Sequence, residues 1–122
     1  IKSYSRAKRL ELGLIYGDFI RHLTNQKINV VFAVIGLFKK LRAHNKKNFK
    51  NYIEIYIKSD IELLKKNSKK KHYTQKSKLV WGKDLKPEFP KNPDIAVYNN
   101  FTRSTHEISR NIINTIKRIT KK

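Results

Sequence analysis

Three short runs rich in β-branched and aromatic residues, set between segments of helical periodicity, constrain this chain more than any other feature. Val30-Val31-Phe32-Ala33-Val34-Ile35 is apolar throughout. A strand with one wet face alternates in polarity, so an unbroken run predicts a strand covered on both faces, as in a parallel sheet. Tyr52-Ile53-Glu54-Ile55-Tyr56-Ile57 and Ile95-Ala96-Val97-Tyr98 predict two more strands. Around them lie helices. Ser5 to Gln26 carries Leu12, Ile15, Phe19 and Leu23 as one apolar stripe, at steps of 3, 4 and 4 residues. Gly13 and Gly17 stand one turn apart in it, where each weakens a helix, which predicts close approach of a neighbouring element. Leu37 to Asn48 predicts a second helix, with Leu37, Phe38 and Leu41 inward.

Ser59-Asp60-Ile61-Glu62 is a capping box opening a short helix through Lys66. Ser104-Thr105-His106-Glu107 is another, opening a final helix striped by Ile108, Ile112, Ile116 and Ile119. Asn67 to Asn92 reads as irregular, with Lys69-Lys70-Lys71 and the prolines Pro87 and Pro90 in it and Pro93 just beyond. This alternation predicts an α/β chain, a three-layer sandwich with helices on both faces of a parallel sheet. The expected strands lie near 29–35, 52–57 and 94–98.

At 122 residues the chain is long enough for one domain and too short for two. It has no Cys, which excludes disulfides, thiolate metal sites and a cysteine nucleophile, and its 4 His show no paired ligand spacing. The longest apolar run is far short of the roughly 20 residues needed to cross a membrane, and no signal-peptide pattern is present, so the expected setting is cytoplasmic. The 29 Lys and Arg against 9 Asp and Glu give a formal charge of +20. Such a surface attracts polyanions, whether it reflects function or an AT-rich coding bias towards Lys, Asn and Ile. The chain begins at Ile1 and contains no Met, so Ile1 is not expected to be a natural amino terminus.

Several stretches, in order, resemble the adenylylsulfate kinases and their bacterial relatives. Tyr4-Ser5-Arg6-Ala7-Lys8-Arg9-Leu10-Glu11 is similar to the family stretch in which an Arg leads the helix after the substrate-binding segment. Ile28 to Arg42 is similar to the family's buried strand and the Ser-Pro-Phe-Arg-type segment beside the substrate, and Tyr52 to Ile57 to its next strand. Lys70-Lys71-His72-Tyr73 stands where the family has Lys-Gly-Leu-Tyr, and Gly82-Lys83-Asp84 where it has Gly-Ile-Asp. Pro87-Glu88-Phe89-Pro90-Lys91-Asn92-Pro93-Asp94-Ile95 follows its proline-punctuated run into the last strand. There are departures. Leu12 stands for a family Asn, Gly36 and Lys39 for the Ser and Arg of the substrate segment, and Val80 for the aromatic that stacks on the base, with Trp81 adjacent. These departures resemble the capsule-modification branch, whose acceptor can be a cytidine diphosphate derivative such as the phosphoramidate.

The resemblance implies a P-loop kinase fold, incomplete at its amino end, with residues 1–122 as the carboxyl two-thirds of one nucleotide-kinase domain. It implies transfer of the γ-phosphoryl of ATP, with Mg²⁺, to the 3′-hydroxyl of a nucleotide: adenylylsulfate in sulfate assimilation, or a cytidine diphosphate derivative in capsule biosynthesis. A homodimer is compatible with it. No Gly-x-x-x-x-Gly-Lys-Ser/Thr occurs among the 122 residues, so no catalytic residue is assigned, and the chain by itself is expected to be inactive. The strand expected at Val30–Ile35 should then have an exposed or vacated side where the missing strands belong. Arg9 is the first candidate for an acceptor phosphate, because a guanidinium offers phosphate a bidentate fork. Phe38 and Lys39 follow the first predicted strand, at the carboxyl edge where open α/β sheets bind ligands. Lys70, Tyr73, Val80 and Trp81 are the candidates from the loop, with the base expected near the last three. The alternative from the charge is a non-catalytic, basic protein of kinase ancestry that binds nucleic acid or a larger assembly.

Overall fold

Ser5 starts the first helix as its sequence predicts. Its Oγ accepts from the Lys8 N–H at 3.3 Å, and α1 runs over Arg6–Asn25. The computed structural model describes residues 5–67 and 85–121. The chain divides into two compact units, one drawn from Ile1–Tyr52 and Lys78–Pro90, the other from Ile53–Ser77 and Lys91–Lys122. In the first unit α1 ends where Lys27 turns into the left-handed region, at φ 63°. The N–H groups of Lys27 and Ile28 return to the carbonyls of Thr24 and Leu23, at 2.9 and 3.2 Å. That is the double closure of a helix end that needs one left-handed residue.

The second helix, α2, spans Lys39–Asn48 and buries Leu41 and Asn45. It meets α1 on the glycine face rather than on the expected stripe. Gly13 and Gly17 are the buried residues of α1, whereas Ile15 and Phe19 are 56% and 61% exposed. A β-carbon on Gly13 would lie 2.8 Å from Leu41 Cδ2, and one on Gly17 3.2 Å from Asn45 Oδ1. The close approach predicted from the two glycines is therefore present. The stripe at 12, 15, 19 and 23 misled because the largest side chains lie beside the contact face, not on it. Phe38 and Leu41 form the core, with Leu10, Leu14, Leu37 and Leu85 packed on them.

The run Val30–Ile35 forms no strand. Among the described residues the sheet has two strands, and 28–38 crosses from α1 to α2 as extended, irregular chain. Val31 is 99% exposed, and the Gly36 N–H closes a tight turn onto the Val34 carbonyl at 2.9 Å. β-propensity records fitness for a packed sheet surface, and among the described residues no strand pairs with this run. The expectation of a strand here with one exposed or vacated side is therefore not met, since the run is not part of the sheet.

In the second unit β1 (Ile55–Lys58) and β2 (Ile95–Tyr98) pair in parallel, Ile55 opposite Ile95 and Lys58 opposite Tyr98. The short helix α3 covers Ile61–Asn67. Its cap departs from the expected box: Ser59 Oγ makes no hydrogen bond, and the Leu64 N–H returns to the Asp60 carbonyl at 3.0 Å. The last helix, α4, spans Thr105–Thr120, and Ser104 Oγ accepts from the Glu107 N–H at 3.1 Å, as predicted. Ile108 of α4 and Ile95 of β2 are the buried apolar residues of this unit. Among the described residues, a two-stranded parallel sheet and four helices are thus the part of the expected α/β architecture that is seen, without the layers of a three-layer sandwich.

The Gly13–Leu41 contact gives a stability prediction. Gly13→Leu forces a branched side chain into a filled space, and overpacking of this kind costs about 1–3 kcal/mol. The midpoint of urea denaturation should fall accordingly. An unchanged midpoint would mean that α1 and α2 do not meet at Gly13.

Candidate functional site

The two glycines let α1 lie close to α2, and the extended segment before α2 closes the space beside them. The result is a cavity of about 150 Å³ in the first unit. Arg9, Leu12, Tyr16, Ile35 and Phe38 are among its lining residues, beside Gly13 and Leu41 of the helix contact. The Tyr16 ring meets Phe32 edge to face, centroids 6.0 Å apart, which fixes the aromatic wall. A charged fork beside apolar, aromatic walls is the arrangement that receives an anionic group joined to a flat ring.

The Gly36–Lys39 segment is held by polar contacts from distant residues. The Phe38 residue that precedes α2 provides no side-chain cap, and Glu88 supplies one: its Oε2 accepts from the Lys39 N–H at 2.5 Å. The Glu88 N–H donates to the Leu37 carbonyl at 3.1 Å. The Arg42 guanidinium donates to the Gly36 carbonyl at 2.8 Å. Arg6 forms an ion pair with Glu88 Oε1, donates to the Lys86 carbonyl at 3.2 Å, and lies over the Phe38 ring, 5.0 Å from its centroid. The Lys39 N–H, with help from Arg6 and Arg42, holds the Glu88 carboxyl below its ordinary pKa, against a smaller opposing effect of desolvation.

Of the residues expected from sequence, Arg9 and Phe38 come together in one cavity. Phe38 is also core, at 3% exposure. Lys39 is not among the lining residues; its exposed side chain follows Phe38 at the first turn of α2, and its backbone is held by Glu88. Lys70, Tyr73, Val80 and Trp81 lie outside the described residues. Arg6, Tyr16 and Glu88 were not expected at the site. Glu88 carried a signal, being an acid between two prolines in a strongly basic chain; Tyr16 carried none.

The second unit presents a different group at the carboxyl ends of its strands. Tyr98 donates its hydroxyl to Asp60 Oδ2 at 2.7 Å, which raises the Tyr98 pKa and ties β2 to the start of α3. A cavity of about 190 Å³ lies between β2 and α4, next to Arg103 and Thr115. Among the described residues no cluster of three or more His, Asp or Glu could hold a metal ion. No described helix is long and apolar enough to cross a membrane.

Comparison with known proteins points to a kinase-like relationship. The chain is 32% identical over 109 residues to the cytidine diphosphoramidate kinase of Campylobacter jejuni subsp. jejuni serotype O:2, an alignment covering 86% of this chain. The chain spans 63% of the length of that relative. No family model and no solved structure matches.

The depressed Glu88 carboxyl predicts a pH signature. A carboxyl whose folded-state pKa lies below its ordinary value of 4.5 contributes stability that is present above that value. That contribution is lost as pH falls through the lowered folded-state value. The difference in thermal midpoint between the native chain and Glu88→Gln should be constant near neutral pH and shrink once pH drops below 4.5. A difference that persists undiminished in stronger acid would show that Glu88 does not act through its charge.

Proposed function

We propose that the chain is the acceptor-binding part of an ATP-dependent nucleotide kinase that phosphorylates the 3′-hydroxyl of a cytidine diphosphate derivative, such as cytidine diphosphoramidate. The observation that carries this reading is the single cavity shared by Arg9, Leu12, Tyr16 and Phe38. In it Arg9 meets an acceptor phosphate, with Lys39, next to Phe38 in sequence, as a second, point-like cation. The departures at Leu12, Gly36, Lys39 and Val80 favour the capsule-modification branch, and so a cytidine acceptor over adenylylsulfate. The similarity to a kinase named for cytidine diphosphoramidate supports the same choice.

In this reading residues 1–122 are the carboxyl two-thirds of one nucleotide-kinase domain, and Lys70, Tyr73, Val80 and Trp81 complete the acceptor side. Phosphoryl transfer needs ATP and Mg²⁺, which no residue of this chain is assigned to hold. What these residues contribute is positioning: an anchored phosphate and a fixed ring orient the acceptor hydroxyl, which is where much of the catalysis of phosphoryl transfer lies. Nothing beyond the charge favours the nucleic-acid reading.

The test is phosphorylation by the full-length protein with cytidine diphosphoramidate and adenylylsulfate offered side by side. The cytidine compound should be the better acceptor. Arg9→Ala removes a charge-assisted contact typically worth about 1.5–3 kcal/mol, a roughly 10- to 150-fold loss in kcat/KM for the acceptor with ATP little affected. Lys39→Ala should act in the same direction and less strongly. Turnover of neither nucleotide, or full activity of Arg9→Ala, would overturn the assignment.

A further inference from the structure

The Gly36–Lys39 segment lies between an irregular stretch and a helix whose own sequence provides no cap, so little in it fixes its path. Its backbone is held by contacts from outside. The Glu88 carboxylate takes the Lys39 N–H at 2.5 Å, and the Glu88 N–H takes the Leu37 carbonyl at 3.1 Å. Glu88 and Lys39 are 49 residues apart in sequence. The other oxygen of the same carboxylate pairs with Arg6, whose guanidinium covers the Phe38 ring. One side chain therefore sets both the start of α2 and the cation that packs on Phe38. Phe38 is a wall of the cavity.

We propose that Glu88 is a positioning residue for acceptor binding: together with Arg6 it holds the Phe38 wall at the distance from Arg9 that the acceptor requires. It touches no substrate and acts through Phe38 and the first turn of α2. This rests on the nucleotide-kinase reading above and adds a determinant outside the cavity lining. The physical need is plain. A pocket wall carried by an extended segment moves unless something fixes it, and misplacement of about 1 Å can cost up to 10²-fold in rate. A carboxylate at the amino end of α2 is also favoured by the helix dipole, and Arg6 and Arg42 are cationic groups that act on it.

Glu88→Ala and Glu88→Gln in the full-length protein separate this from a general loss of stability. Gln keeps an acceptor for the Lys39 N–H and loses the ion pair, so it should be the milder change. Glu88→Ala is expected to raise the acceptor KM roughly tenfold and leave the KM for ATP within about twofold, with Glu88→Gln in between. Amide hydrogen exchange at Lys39, read without any activity, should quicken in Glu88→Ala and much less in Glu88→Gln. Should Glu88→Ala fail to fold, Glu88→Gln carries the test alone: a raised acceptor KM supports the proposal and an unchanged one overturns it. Faster exchange at Lys39 in a protein that phosphorylates neither nucleotide would sink the kinase reading and leave the clasp intact. Equal changes in both KM values, or unchanged exchange at Lys39, would overturn the proposed role of Glu88.

Discussion

The contact of α1 with α2 at Gly13 is the constraint on which the first unit depends. A helix gives up roughly 1 kcal/mol for each interior glycine relative to alanine, and α1 holds two of them one turn apart. The return is contact of Leu41 with the α1 backbone, at a distance no β-carbon permits. That contact buries Leu41 to 2% exposure and brings Phe38 into the same cluster. Because α1 meets α2 at its glycines, the residues flanking that line, Arg9, Leu12 and Tyr16, are left at the edge of the contact, where they line the cavity. The cavity is a by-product of where the small residues fall.

Polar organisation follows from the scarcity of acids. In a chain of charge +20 a carboxylate has many cations within reach, yet some of the described acids hold backbone or a distant hydroxyl. Glu88 holds the start of α2. Asp94 accepts from the Glu54 N–H at 2.7 Å, just ahead of both paired strands, and Asp60 holds the Tyr98 hydroxyl at their far ends. Exposed ion pairs on one helix, such as Lys8 with Glu11 or Lys65 with Glu62, contribute little by comparison. The contacts that matter join residues tens of positions apart, since these remove conformations that local pairs leave open.

Such long-range contacts also explain how much the sequence disclosed. Helix starts were legible where the signal is local, as with Ser5 and Ser104, whose hydroxyls need only the next turn. The paired strands were legible to within three residues, because β-branched runs mark packed surface. The run Val30–Ile35 carried the strongest strand pattern and makes no strand, because pairing depends on a neighbour that the run itself cannot specify. The packing face of α1 was misread for a related reason: apolar periodicity weighs large residues, and here small ones touch. At the site, Arg9 and Phe38 came from resemblance and proved to share a cavity. Arg6 and Glu88 act through partners 82 positions apart, a pairing that no local pattern in a single sequence records.

Leu12 bears on what selectivity such a cavity can have. The resemblance drawn from the sequence would place an Asn at this position, a side chain that both donates and accepts hydrogen bonds. A site built on such bonds rejects a ligand lacking the partner groups by 10⁴-fold or more, because its own buried polar atoms are left unpaired. An apolar wall of Leu12, Ile35 and Phe38 has no polar atoms to orphan, and discrimination by apolar contact alone reaches only about 10- to 200-fold per methylene-sized difference. Under the proposed reading, the base therefore meets an apolar surface rather than a hydrogen-bond readout. Such a surface discriminates only when it cannot yield. Leu41 is packed against a glycine backbone on one side, and Phe38 is held under Arg6 on the other. The rigidity that selectivity requires is thus supplied by the helix contact and by the Glu88 clasp, neither of which touches the acceptor.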